Sequence, residues 1–361
     1  MTEDNKSDNG DGGSGGDALF LVRVHAGRRA AALALGKLIF VVEYGSADGD
    51  IRDTTLRKHT DIIRCAAFDH LGEHLFTSGD DKEIIVWETR NWSFLCSRRM
   101  PKKISSLAVT RDGKYVIVAD KFGEVSQFSF SGVELSLSPV LLLGHVAVVL
   151  DVILSPANDF IITADRDEKI RVTCFPETAE IMSYCLGHQS AVTKLAILPA
   201  DDHILLSASG DGTLRMWLYQ SGSLLGTICV CEDEKASVVI SIGSYNRTIA
   251  AVIEGKSTVF LFFVTEDRML HRLGYLDLSS CPTDVYFDAE GRLWVPCVDL
   301  QLHIFTPTGT EGLYSPVQPD STESALVKHT QTAFQSEEWR TLASATNASR
   351  KGLLKRKYDD Q

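Results

Sequence analysis

The chain has 361 residues, of which 48 are acidic and 36 basic, for a net charge of −12. With 44% hydrophobic and 23% charged residues it has enough apolar surface to bury a large core, which excludes wholesale disorder. The acidic balance excludes a surface given over to nucleic acid, since phosphate binding needs clustered Lys and Arg. Any RNA contact must then come from a local basic patch or a basic partner.

Residues 1–17 carry five acids, one lysine and five glycines. Such a segment cannot offset its ordering entropy, so a disordered acidic tail is expected. Gly10, Gly12 and Gly15 spell G-x-G-x-x-G, but a dinucleotide site needs a strand before the motif and a helix after it, and neither is predicted. No signal-peptide pattern or bilayer-length apolar run is read, so no membrane contact is expected. The eight cysteines are scattered without a C-x-x-C pair, which predicts reduced, mostly buried thiols and no zinc site.

Residues 18–307 read as an internal repeat. Short apolar strands end near Glu43, Trp87, Phe128, Thr173, Trp217, Phe262 and Phe305, spaced by 41 to 45 residues. Other β-rich runs lie between them, such as Tyr115-Val116-Ile117-Val118, separated by turn pairs such as Asp112-Gly113 and Glu290-Gly291. Seven units with room for four short strands predict an all-β, seven-bladed propeller. Leu19 to Val24 is a candidate extra strand for the last blade.

The strongest units resemble the WD-repeat family. Gly187-His188, Ser207, Asp211 and Trp217 fit its pattern fully. His59, Thr77, Asp81 and Trp87 fit without the Gly, and Gly144-His145, Thr163 and Asp167 fit with Thr173 in place of the aromatic. In each blade the Asp is expected to accept from the His, while the hydroxyl bridges toward the aromatic N–H. Pairing these groups avoids a burial penalty of about 1–3 kcal/mol apiece. His59, His145, His188, Asp81, Asp167, Asp211, Trp87 and Trp217 are therefore assigned to architecture.

Residues 308–361 lose the β pattern. Residues 319–337 read as polar, and Glu338 to Leu354 as a short helix around Trp339 and Leu342. Arg350, Lys351, Lys355, Arg356 and Lys357 then place five bases within eight residues, a pattern for nuclear import or for an RNA-contacting tail.

Two local features stand above this background. Arg166-Asp167-Glu168-Lys169 opens the strand that contains Arg171, in a turn on the rim where propellers bind partners. Arg98-Arg99-Met100-Pro101-Lys102-Lys103 puts four bases in six on a loop between blades, and Lys121 follows in the next turn. Together these bases point to a basic patch on one rim. No phosphate loop, nucleophile elbow, H-E-x-x-H or paired metal-ligand motif occurs, so no catalytic residue and no metal is assigned.

At this point the resemblance narrows. The run Ala164 to Val172, with Leu150-Asp151-Val152, Cys185-Leu186-Gly187-His188 and Val118-Ala119-Asp120-Lys121, resembles the non-catalytic WD-repeat subunit of the eukaryotic tRNA guanine-N7 methyltransferase. The specific part covers residues 100–220. The resemblance implies an accessory subunit in a heterodimer with a separate catalytic subunit. That partner carries S-adenosylmethionine, and the propeller docks on it and helps seat tRNA in the nucleus. It further implies that Arg166, Glu168, Lys169, Arg171 and Lys121 face the partner, and that Lys102 and Lys103 stand at a basic pair near the RNA. Two other readings compete: a general WD-repeat scaffold for another nuclear complex, and an enzyme with a site in the propeller channel.

Overall fold

The computed structural model describes residues 20–25, 27, 29–44, 50–231, 237–309, 313–317 and 321–343. They form seven four-stranded antiparallel sheets, each made of four consecutive strands. The blades span residues 20–57, 63–99, 104–144, 149–185, 192–229, 239–277 and 286–316. The first strands of successive blades neighbour one another, and that of blade seven returns to blade one, so the sheets close into a ring. The seven apolar strand ends read from the sequence all belong to third strands, whose side chains are buried on both faces, as in Ile84 to Trp87. The acidic segment 1–17 lies outside the described residues.

Ring closure differs from expectation. The strand Phe20–His25 pairs with Ala30–Leu35 and is the first strand of blade one, so it adds nothing to the last blade. Blade seven supplies its own fourth strand, Tyr314–Pro316, which moves the end of the propeller past residue 307. The ends meet through side chains instead. Asp284 of blade seven accepts from the Val22 N–H and from the Arg23 guanidinium.

A helix, α1 (Thr322–Phe334), covers this seam in a segment the sequence had read only as polar. Ser321 caps it by accepting from the Ser324 N–H. It buries Ser324, Leu326, Thr330 and Phe334, a stripe at roughly four-residue spacing in which two members are polar. A second helical stretch, 337–343, follows and buries Trp339; the remainder of the helix expected over Glu338 to Leu354 lies outside the described residues. Leu326, Phe334 and Trp339 pack in one cluster with Phe40 of blade one and Trp294 of blade seven.

In an antiparallel blade, the link into the first strand and the turn between second and third strands lie at the same end. The charged segments 98–103 and 166–169 and Lys121 therefore sit on one rim of the ring.

Candidate functional site

The rim rests on the paired histidines. His59 Nδ1 lies 2.7 Å from Asp81 and its Nε2 lies 2.8 Å from Thr77, whose hydroxyl also accepts from Trp87 Nε1 at 2.8 Å. His188, Asp211, Ser207 and Trp217 repeat this at 2.9, 2.7 and 2.8 Å. Every polar atom of these chains is committed to a neighbour, so the two tetrads fix turns rather than perform chemistry.

Blade four corrects one assignment. His145 pairs with Asp165 at 3.0 Å, not with Asp167. Asp165 ends its strand, and its second oxygen accepts from the Lys169 N–H at 3.0 Å, closing the turn. Burial alone would raise the Asp165 pKa, but the bonds from His145 and the Lys169 N–H outweigh that and hold it below the usual carboxylate range. Asp167, at the spacing of Asp81 and Asp211, is displaced into solvent with Arg166, Glu168 and Lys169. Glu168 holds a left-handed φ of 71°.

The displaced aspartate changes the setting of Arg171. In blade five the equivalent Arg215 has Asp211 at 3.9 Å, four residues back. Among the described residues Arg171 has no such carboxylate. Its Nε donates to Thr173 Oγ1 at 3.1 Å and its Nη1 to the Gly144 carbonyl at 3.3 Å. Thr173, standing where the aromatic is usual, thus aims a guanidinium whose charge is still unmatched.

Backbone contacts tie the rim turns of blades three and four to the links beside them, making one strip. The Lys121 N–H donates to the Lys103 carbonyl at 2.9 Å, the His145 N–H to Gly123 at 2.8 Å and the Arg166 N–H to Val148 at 2.9 Å. Gly123 is required here: its φ is 93°, and a Cβ would meet the His145 and Ala147 carbonyl oxygens at 2.5 and 2.6 Å. Lys121 also reaches Asp80 of blade two at 3.2 Å, and Lys103 lies 3.9 Å from it. Lys102 sits 3.7 Å over the Phe122 ring. Of the bases expected in the patch, Lys102, Lys103 and Lys121 lie together, whereas Arg98 donates to the Ser136 carbonyl and Arg99 pairs with Glu83. Arg350, Lys351, Lys355, Arg356 and Lys357 lie outside the described residues.

Sequence reasoning missed three apolar members of this strip. Phe122, Val146 and Leu186 are 64%, 104% and 60% exposed. Phe122 adjoins Lys121, Val146 lies between the Gly123 and Arg166 turns, and Leu186 follows Cys185, which pairs with Ile170. Exposed apolar side chains among charged ones are what a protein partner covers. Single apolar residues between turn residues leave no periodic signal, so pattern alone could not select them.

Elsewhere the chemistry is quiet. Burial pushes the Cys65, Cys185 and Cys297 thiols up to about 12, away from thiolate chemistry. Among the described residues no three His, Cys, Asp or Glu side chains converge on a metal position. No described helix is long and apolar enough to cross a membrane.

Fold and rim together define a WD-repeat propeller whose histidines and aspartates serve the blades and whose free charges face outward. Comparison with known proteins narrows the class. The tRNA methyltransferase TRM82 WD40 domain matches residues 45–136 and 130–300. The tRNA (guanine-N(7)-)-methyltransferase non-catalytic subunit of Homo sapiens is 30% identical over 335 residues, covering 88% of this chain and 79% of that protein. Its Xenopus laevis counterpart is 38% identical over 248 residues, covering 65% of this chain and 62% of its own length, less than two-thirds. The chain belongs to this family of non-catalytic WD-repeat subunits. Among solved structures, a chain of the mitotic checkpoint complex aligns with a TM-score of 0.68 at 14% identity over 80% of this chain and 90% of its own. The RRP9 WD40 repeats align at 0.66 and 19% over 76% and 86%. These two likenesses show the fold alone.

Proposed function

We propose that this chain is the non-catalytic subunit of a tRNA guanine-N7 methyltransferase and docks its catalytic subunit, as a heterodimer, on the rim of blades two to five. The observation that carries the docking site is Arg171, held by neutral oxygens with no carboxylate of its own and set among exposed Val146, Leu186 and Phe122. A carboxylate of the partner would complete that guanidinium through two parallel hydrogen bonds. Arg166, Glu168, Lys169 and Lys121 frame it with further charge.

In this reading the partner binds S-adenosylmethionine and performs the methyl transfer. The family membership and the designation of its relatives as non-catalytic subunits support that division. Lys102, Lys103 and the cluster Arg350 to Lys357 are proposed contacts for tRNA, and the same cluster is proposed to direct nuclear import. The test is methyl transfer to tRNA by each subunit alone and by the pair. The reading requires no turnover by this chain alone and more turnover by the pair than by the catalytic subunit. Equal turnover with and without this chain would overturn it.

A further inference from the structure

Asp80 is the least expected member of the rim. It follows the second strand of blade two, and its side chain is only 6% exposed. Three cations from two blades converge on it: Arg64 at 2.7 Å, Lys121 at 3.2 Å and Lys103 at 3.9 Å. Burial alone would raise its pKa, but the Arg64 bond and the nearby lysines outweigh that and hold the carboxylate ionised. One negative and three positive charges leave the group cationic, and the two lysines remain about one-third exposed.

We propose that Asp80 is a positioning residue for partner docking: it holds the partly exposed Lys121 in one place on the rim before the catalytic subunit arrives. The inference rests on the docking reading given above. Lysine is a compact charge on a flexible four-carbon stem, so a free lysine loses much rotamer freedom when an acidic partner captures it. Asp80 removes that freedom in advance, and Arg64 from the neighbouring strand keeps Asp80 in place. The occupant is an acidic protein side chain rather than RNA, because Lys121 is continuous through Phe122 and Gly123 with the exposed apolar Val146, a surface that a protein covers.

The substitution Asp80→Asn separates positioning from simple charge. It makes the rim more positive, so a long-range electrostatic role predicts tighter binding of an acidic partner. Positioning predicts weaker binding, by about three- to tenfold. Affinity for the catalytic subunit should be measured for wild type, Asp80→Asn, Lys121→Met and the double variant. The expected result is that Asp80→Asn weakens binding alone and adds nothing in the Lys121→Met background. Unchanged or tighter binding, or an additive loss in the double variant, would overturn the proposal, as would a loss confined to tRNA binding by the assembled pair. If Asp80→Asn unfolds the propeller, the cycle is run with Arg64→Met and Asp80→Asn combined, which removes the buried pair together. If Arg171→Leu and Lys121→Met both leave affinity unchanged, the docking reading fails. If those two weaken binding and Asp80→Asn does not, only the role of Asp80 fails.

Discussion

Asp284 repeats, at the seam where the two ends of the propeller meet, the bonding that Asp151 makes between blades three, four and five. Asp151 accepts from Ser106 of the preceding blade at 2.8 Å and from the Leu195 N–H of the following blade at 3.0 Å. Asp284 accepts from Ser241 at 2.6 Å and from the Val22 N–H at 3.2 Å. Each also faces a cation, Lys194 for Asp151 and Arg23 for Asp284. Asp284→Asn leaves Arg23 largely buried without its counter-charge, and a loss of about 3 kcal/mol is expected. Denaturant unfolding measures it, and an unchanged midpoint would show that the seam is held by other contacts.

The second clasp is apolar. Trp339 is 3% exposed and packs edge-on against Phe334 and Phe40. Trp339→Ala is expected to cost about 3–5 kcal/mol, the usual range for a large aromatic removed from a core. Limited proteolysis should cut the 321–343 segment faster in this variant. Equal cutting rates would mean that the helix does not depend on that anchor.

Arg171→Leu should weaken assembly with the catalytic subunit at least about tenfold, or roughly 1.4 kcal/mol. The melting temperature should stay within a degree or two, because among the described residues the arginine bonds only Thr173 and the Gly144 carbonyl. Both quantities must be read on one sample. A matching loss of stability would make the residue structural, and unchanged affinity would remove it from the docking rim.

Acid should loosen the blades through their aspartates. Burial alone would raise the pKa values of Asp81, Asp165 and Asp211, yet hydrogen bonds from His59, His145 and His188 hold all three below the usual carboxylate range. A carboxylate depressed in the folded state binds fewer protons there than in the unfolded chain. Its stabilisation is therefore complete above pH about 4 and lost as pH falls further. The melting temperature should be steady from pH 7 to about 5 and fall below about 4, with a shallower fall in Asp211→Asn. Identical slopes for variant and wild type would argue against these pairs as the source.

The blade count and two of the tetrads were legible because burial on both faces of a third strand leaves an uninterrupted apolar run, and because His, hydroxyl, Asp and Trp recur at fixed offsets. Asp167 was misread for a physical reason. Asp165 and Asp167 both stand within reach of the turn, and spacing cannot tell that a strand-end carboxylate satisfies His145 and the Lys169 N–H together. Helix α1 escaped notice because half of its buried stripe is Ser324 and Thr330. The rim charges were visible as runs, whereas Asp80 was not, since its significance comes from side chains of another blade.

Among the described residues no blade borrows a strand from another, and this orders events during synthesis. Each sheet has all its strands once its own stretch of chain has left the ribosome, so the ring grows blade by blade as an open arc. Asp284, Phe334 and Trp339 follow the first six blades in the chain and shut the arc. The rim that carries Asp80, Lys121 and Arg171 is finished while the final blades are still being made, so under the proposed docking the surface offered to the catalytic subunit is complete before the ring closes.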